Sequence, residues 1–208
     1  MSNLYLSLDL EMEQPSQEII QIGACIGNIS TGEVLETFCA YVKIDAPLSP
    51  FIIGLTGITQ ETLDTQGTDL ITAWKAFLAF RDKYPEVNCN AITWGGGDTT
   101  ELKKQVFRAY EGLWGVLPGS TFAWPLGRRW IDVKTIFQFR QLAHGEKLQA
   151  GLAKAMVKCG MAFKGKKHNA TDDAVNTFLL AARLVADYRQ LIDFEWLMTN
   201  LDIPPELQ

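Results

Sequence analysis

Leu4-Tyr5-Leu6-Ser7-Leu8-Asp9-Leu10-Glu11 puts four leucines on one side of the chain and Tyr5, Ser7, Asp9 and Glu11 on the other. That strict period of two is the signature of a β-strand with one face against a core. Asp9 and Glu11 leave the same face, separated by roughly 6.6 Å of strand rise. Two carboxylates held that close repel each other unless a cation lies between them. Taken alone, the pair fits an edge strand with a solvated acidic face equally well.

Working outward, a second polar cluster follows the apolar run Cys89-Asn90-Ala91-Ile92-Thr93-Trp94, which reads as a buried strand. Gly95-Gly96-Gly97 lets the backbone turn tightly, and Asp98 opens a helix running to about residue 112. With Glu101 three residues on, Asp98 also fits a capping pattern. The C-terminal end of such a strand is where open α/β sheets carry their sites. A third cluster, His168-Asn169-Ala170-Thr171-Asp172-Asp173-Ala174, lies between the basic loop Lys164-Gly165-Lys166-Lys167 and a helical run. Val175, Phe178, Leu179, Ala182 and Val185 recur there at helical spacing. By charge alone either Asp172 or Asp173 fits a ligand role. Adjacent helical residues point about 100° apart, so only one of them faces a given point squarely.

Hard oxygen donors without a Cys/His cluster suit Mg²⁺ or Mn²⁺. Two such ions about 3.5–4 Å apart can bind both the attacking and the leaving oxygen of a phosphoryl displacement. On this reading Asp9 bridges the ions, Glu11 and Asp173 hold one, and Asp98 holds or orients the other. His168, whose imidazole exchanges protons near neutral pH, is the candidate general base. His144 has no acidic company and reads as surface. Asp132 starts a helix with Thr135 behind it and reads as a cap.

These motifs resemble those of the DEDDh three-prime-to-five-prime exonucleases of the DnaQ-like, ribonuclease H-like superfamily. Asp9-Leu10-Glu11 resembles the first exonuclease motif, Trp94 to Asp98 the second, and His168 to Ala174 the third. In that alignment Asp173, not Asp172, is the metal ligand. The stretches 18–24, 31–34, 47–51 and 55–60 resemble the branch holding the Eri-type, histone-mRNA and KapD-like exonucleases, and the similarity covers roughly residues 3–188. The resemblance implies a mixed sheet flanked by helices on both faces. It also implies two-metal attack at single-stranded 3′ ends of RNA or DNA, with release of nucleoside 5′-monophosphates. Met12 and Phe51 are then placed to sandwich the terminal base. The three glycines before Asp98 exceed the usual motif, and the stretch shows no SAP-like or zinc-binding RNA module. RNA is expected slightly ahead of DNA. The rival readings are a DNA-directed trimming nuclease, an oligonucleotidase, and a binding scaffold without chemistry.

At 208 residues and 47% apolar content, the chain is expected to form one domain, residues 1–208, with 189–208 as a C-terminal helical extension. No apolar run reaches membrane length and the N-terminal stretch lacks a basic leader, so a cytoplasmic protein is expected. A net charge of −5 is unusual for a nucleic-acid binder. The four proposed ligands supply −4 of it, and two divalent ions return +4, leaving −1. The cations are grouped as Lys103, Lys104 and Arg108; Arg128 and Arg129; and Lys164, Lys166 and Lys167. These are candidate phosphate contacts, the last group foremost because it leads into His168.

Strands are expected near 3–12, 18–29, 33–43, 89–94 and 130–132, with a loop carrying Pro47 and Pro50. Helices are expected from Thr59 and near 69–84, 98–112, 133–142, 148–159 and 169–188. Gly112 to Gly127 reads as the principal loop, where Trp124 fits either a loop anchor or a stacking platform. Cys25 and Cys39 are placed near one another across the hairpin at Thr31-Gly32, with buried free thiols as the reading preferred over a bridge.

Overall fold

The structure, a computed structural model, describes residues 2–114, 124–127, 129–148 and 151–191. Arg128, most of the Gly112–Gly127 stretch and the extension beyond residue 191 lie outside the described residues.

Five strands form one mixed sheet. In chain order they are β1 (Leu4–Met12), β2 (Ile19–Asn28), β3 (Glu33–Tyr41), β4 (Asn88–Thr93) and β5 (Ile131–Asp132). Their spatial order is β3-β2-β1-β4-β5. β1 to β3 run antiparallel, with Asp9 opposite Gly23 and Glu11 opposite Gln21. β4 pairs parallel to β1, and β5 parallel to β4. β1 is therefore central, not an edge, and the solvated acidic face considered for Asp9 and Glu11 does not occur.

The helices are α1 (Pro50–Thr56), α2 (Gln60–Gln66), α3 (Leu70–Asp82), α4 (Gly97–Trp114), α5 (Val133–Ala143), α6 (Leu152–Lys158) and α7 (Ala170–Leu191). The alternation along β1 sorts them to two sides. Leu6, Leu8 and Leu10 face one core with Trp74, Phe77 and Phe80 of α3 and Leu102 and Val106 of α4. The opposite face lies under α7, in a core where Phe178 and Leu180 of α7 meet Phe137 of α5 and Met156 of α6. Asp9 and Glu11 have leucine neighbours pointing to the first core, so they project toward the α7 side.

Two local expectations change. The loop expected to carry Pro47 and Pro50 contains α1, with Ser49 as its N-cap, Pro50 in its first turn and Gly57 left-handed at its C-cap. Proline is tolerated there because the first helical N–H groups have no intrahelical partner. Cys25 lies opposite Thr37 and Cys39 opposite Gly23, so the two are not paired across the hairpin. All four cysteines are free; Cys25 and Cys159 are buried while Cys39 and Cys89 are exposed.

Trp124 is settled by its stacking. Its ring lies 5.0 Å from that of Trp74 at an interplanar angle of 3°, so it acts as an anchor on the core for residues 124–127. Among the described residues no helix is long and apolar enough to cross a membrane.

Candidate active site

The C-terminal ends of β1 and β4 are neighbours in the sheet, and the three sequence clusters meet there. Asp9 and Glu11 come from β1, Asp98 from the first turn of α4, and Asp173 from the first turn of α7. Asp9, Glu11, His168 and Asp173 line one groove of about 650 Å³, together with Trp94, Leu152, Lys154, Phe163 and Lys167. Ligand atoms of Glu11, His168 and Asp173 all lie within 4.8 Å of one another.

The approach of α7 to β1 depends on β2. A side chain at Gly23 would place its Cβ 2.0 Å from the backbone carbon of Ala170, so only glycine admits this contact. Gly23 sits opposite Asp9 in the sheet, so the same position that admits α7 also brings Asp173 toward the strand acids. Gln21, fully buried opposite Glu11, accepts the backbone N–H of Ala170 at 3.0 Å and holds the helix start in place. The hydroxyl of Thr171 adds a bond to the carbonyl of Phe38 at 3.0 Å.

The two adjacent aspartates part company. The Asp172 carboxylate accepts the Lys166 backbone N–H at 2.8 Å and is turned toward the basic loop. Asp173 faces the groove and accepts the His168 backbone N–H at 2.9 Å. His168 itself adopts a left-handed backbone, φ 60°, which a bulky residue rarely does. The surrounding loop holds it there: the Lys166 ammonium donates to the Thr56 carbonyl at the end of α1, at 2.8 Å. At the other end of α1, Ser49 N–H donates to Glu13, two residues beyond Glu11, at 3.0 Å. So α1 spans from the end of β1 to the histidine loop.

The acids interact as a unit. Burial, then the charges of Asp98, Asp173 and Glu11, hold the Asp9 carboxyl well above its ordinary range. Burial and the charges of Asp173 and Asp98 push Glu11 up to about 8. Asp98 is pushed up to about 7 by burial and by Asp173. Asp173 is raised by burial, an effect opposed by the His168 N–H and the nearby imidazole. Asp9 and Glu11 thus feel the neighbouring acids across a small desolvated space. A set of hard oxygen donors whose ionisation is mutually disfavoured fits divalent cations, which relieve that cost by binding.

The remaining candidates are distributed as follows. Of the basic loop, only Lys167 lines the groove; Lys166 is engaged with α1, and Lys164 is exposed, its backbone clamped to Asn176 at 2.9 and 2.7 Å. Met12 is half-buried and packs on the first core. Phe51 stands 66% exposed on α1 and is not among the residues lining the groove. Asp132 caps α5 through Thr135, as its position suggested, and also accepts the Gly95 N–H at 3.1 Å, steadying the glycine turn. Lys154 and Phe163 were not singled out from the sequence. Their helix and loop carry no pattern that tells which face meets the acids. Gln21 did leave a signal, as the one amide in the otherwise apolar run from Ile19 to Ile26.

Residues 6–181 match the RNase_T family, described as exonuclease. The mouse 3'-5' exoribonuclease 1 is 27% identical over 181 residues, covering 82% of this chain and 47% of that protein. The mouse ERI1 exoribonuclease 2 is 29% identical over 188 residues, covering 83% of this chain and 26% of that protein. The chain thus spans less than half the length of either relative. Among solved structures, the nuclease domain of 3'hExo, a DEDDh family member bound to rAMP, superposes with a TM-score of 0.72 at 22% identity. That alignment covers 89% of this chain and 93% of that one. The five-stranded mixed sheet with helices on both faces is the ribonuclease H-like fold of those nucleases, and the chain belongs to the RNase_T exonuclease family.

Proposed function

We propose that this chain is a two-metal 3′-to-5′ exonuclease that removes nucleoside 5′-monophosphates from single-stranded 3′ ends, RNA somewhat ahead of DNA. The observation that carries the reading is the convergence of Asp9, Glu11, Asp98 and Asp173 beside His168 at the end of the central strand. A binding scaffold has no use for four carboxylates whose mutual repulsion raises their affinity for protons. The relatives' names, exoribonuclease 1 and exoribonuclease 2, and the rAMP bound to the 3'hExo domain support RNA.

Asp9, Glu11, Asp98 and Asp173 would hold Mg²⁺ or Mn²⁺, whose charge offsets that developing on the phosphoryl oxygens. The chain's own residues do the rest. His168, fixed by its loop beside Glu11 and Asp173, takes the proton of the attacking water. Lys167, and Lys154 across the groove, supply positive charge toward the scissile phosphate or its neighbour. Met12, at the end of β1, and the exposed Phe51 on α1 offer apolar surface to the terminal base. Lys164 and Lys166 then act through the loop: they sit beside His168 in sequence, and Lys166 ties that loop to α1, which bears Phe51.

The test is a length- and sequence-matched pair of strands, one RNA and one DNA, digested with the full chain in Mg²⁺. Nucleoside 5′-monophosphates released from the 3′ end, faster from RNA, is the expected result. Release of nucleoside 3′-monophosphates, or cleavage within the strand, would overturn the assignment.

A further inference from the structure

A second groove, of about 770 Å³, lies on the other side of the glycine turn and takes no part in the reaction described above. One wall is a single face of α4, with Thr100, Lys103 and Phe107; the other carries Arg129 and Trp130. We propose that this groove binds the single strand upstream of the 3′-terminal nucleotides, a role that rests on the exonuclease reading.

Four observations point there. Lys103 and Arg129 are exposed, and neither joins an ion pair among the described residues. In a chain of net charge −5, two such cations facing one groove make a local site for phosphates. Aromatic surface lies beside the charge: the Lys103 ammonium sits 5.7 Å from the centre of the Phe107 ring, and Trp130 is 40% exposed. Alternating cations and rings suit a strand bound by phosphate contact and base stacking without regard to sequence.

The groove also begins beside the acids in the chain. Trp130 lies over Gly96, its indole nitrogen 3.0 Å from where a Cβ would stand, and Thr99 and Thr100 follow Asp98 directly. Finally, Gly97 is left unexplained by the fold. It lacks the left-handed backbone of Gly95, φ 96°, and a Cβ placed on it meets nothing within 4 Å. Bare backbone beside Asp98 is what a strand passing toward the acids requires.

The experiment measures binding, not cleavage, and so stands apart from the catalytic reading. Fluorescence anisotropy of the full chain in EDTA would compare a 5′-labelled uridine trinucleotide with a dodecanucleotide. The long strand should bind at least about tenfold more tightly. Trp130→Ala, and separately the surface double variant Lys103→Glu with Arg129→Glu, should each weaken the dodecamer about tenfold and leave the trimer unchanged. The double variant should also flatten the salt dependence of dodecamer binding, by about 1.4 in the log–log slope for two lost phosphate contacts. Equal affinity of wild type for both lengths, or equal loss for both lengths in the double variant, would overturn the proposal. Length-dependent binding lost in the variants, in a protein that digests nothing in Mg²⁺, would uphold the groove and sink the exonuclease reading instead.

Discussion

Glu11→Gln is expected to make the metal-free protein more stable while destroying its reason to be assembled. Glu11 is 8% exposed, and its carboxyl is pushed up to about 8 from the ordinary 4.5. For an acid raised on folding, the contribution to stability is complete below the unfolded value and is lost as pH climbs toward the folded one. Between about pH 4.5 and 8 the native state must therefore either hold a proton or bear repulsion that the unfolded chain escapes. At pH 7 that difference integrates to about 3 kcal/mol, and at pH 4.5 to under about 1 kcal/mol. A glutamine of the same shape removes the linkage. In EDTA at pH 7 the variant should melt about 6–12 °C above wild type, given about 2–4 °C per kcal/mol at this size. Near pH 4.5 the two curves should nearly meet. Adding Mg²⁺ should raise the wild type far more than the variant, because binding to the native state alone stabilises by mass action. A variant no more stable than wild type in EDTA at pH 7 would refute the claim that these acids repel one another in the folded state.

Three further substitutions test separate parts of the account. Gly23→Ala forces a Cβ into the Ala170 backbone and should cost at least about 3 kcal/mol in denaturant melts, with activity lost in proportion to the native fraction; a neutral change would contradict the close packing of α7 on β2. His168→Asn keeps a residue that tolerates the left-handed backbone and should lose about 10²–10⁴ of turnover while Mn²⁺ affinity by calorimetry holds; unchanged turnover would remove the general base. Lys166→Met deletes the bond to the Thr56 carbonyl and should lower stability by about 1 kcal/mol; no change in melting would show that α1 and the histidine loop are not coupled this way.

The sheet was readable because β1 to β4 carry strong local patterns, and the alternation in β1 even told which residues share a face. The acids were readable as three clusters because each is attached to a strand end or a helix start. What brings them to one point was not. Gly23 lies within the stretch 18–24 that resembles the Eri-type branch, but its purpose appears only once α7 lies across β2. The left-handed turn at His168 is likewise held by bonds the sequence does not announce, from the His168 N–H to Asp173, from the Lys166 N–H to Asp172 and from the Lys166 ammonium to the Thr56 carbonyl. The role of Lys166 followed charge in the sequence, but a helix C-terminus competes for that ammonium, and proximity to α1 settled where it points. The helix α1 was hidden by its proline and short length, although Ser49, Pro50 and Gly57 together spell its start and stop.

The most direct test of the central claim uses 5′-labelled single strands of RNA and DNA with the wild-type chain and Asp9→Asn, in Mn²⁺ and in EDTA. The expected result is a ladder shortening from the 3′ end in Mn²⁺ only, absent in the variant even though it remains folded. Shortening that persists in EDTA or in Asp9→Asn, or none at all from folded wild type in Mn²⁺, would contradict it.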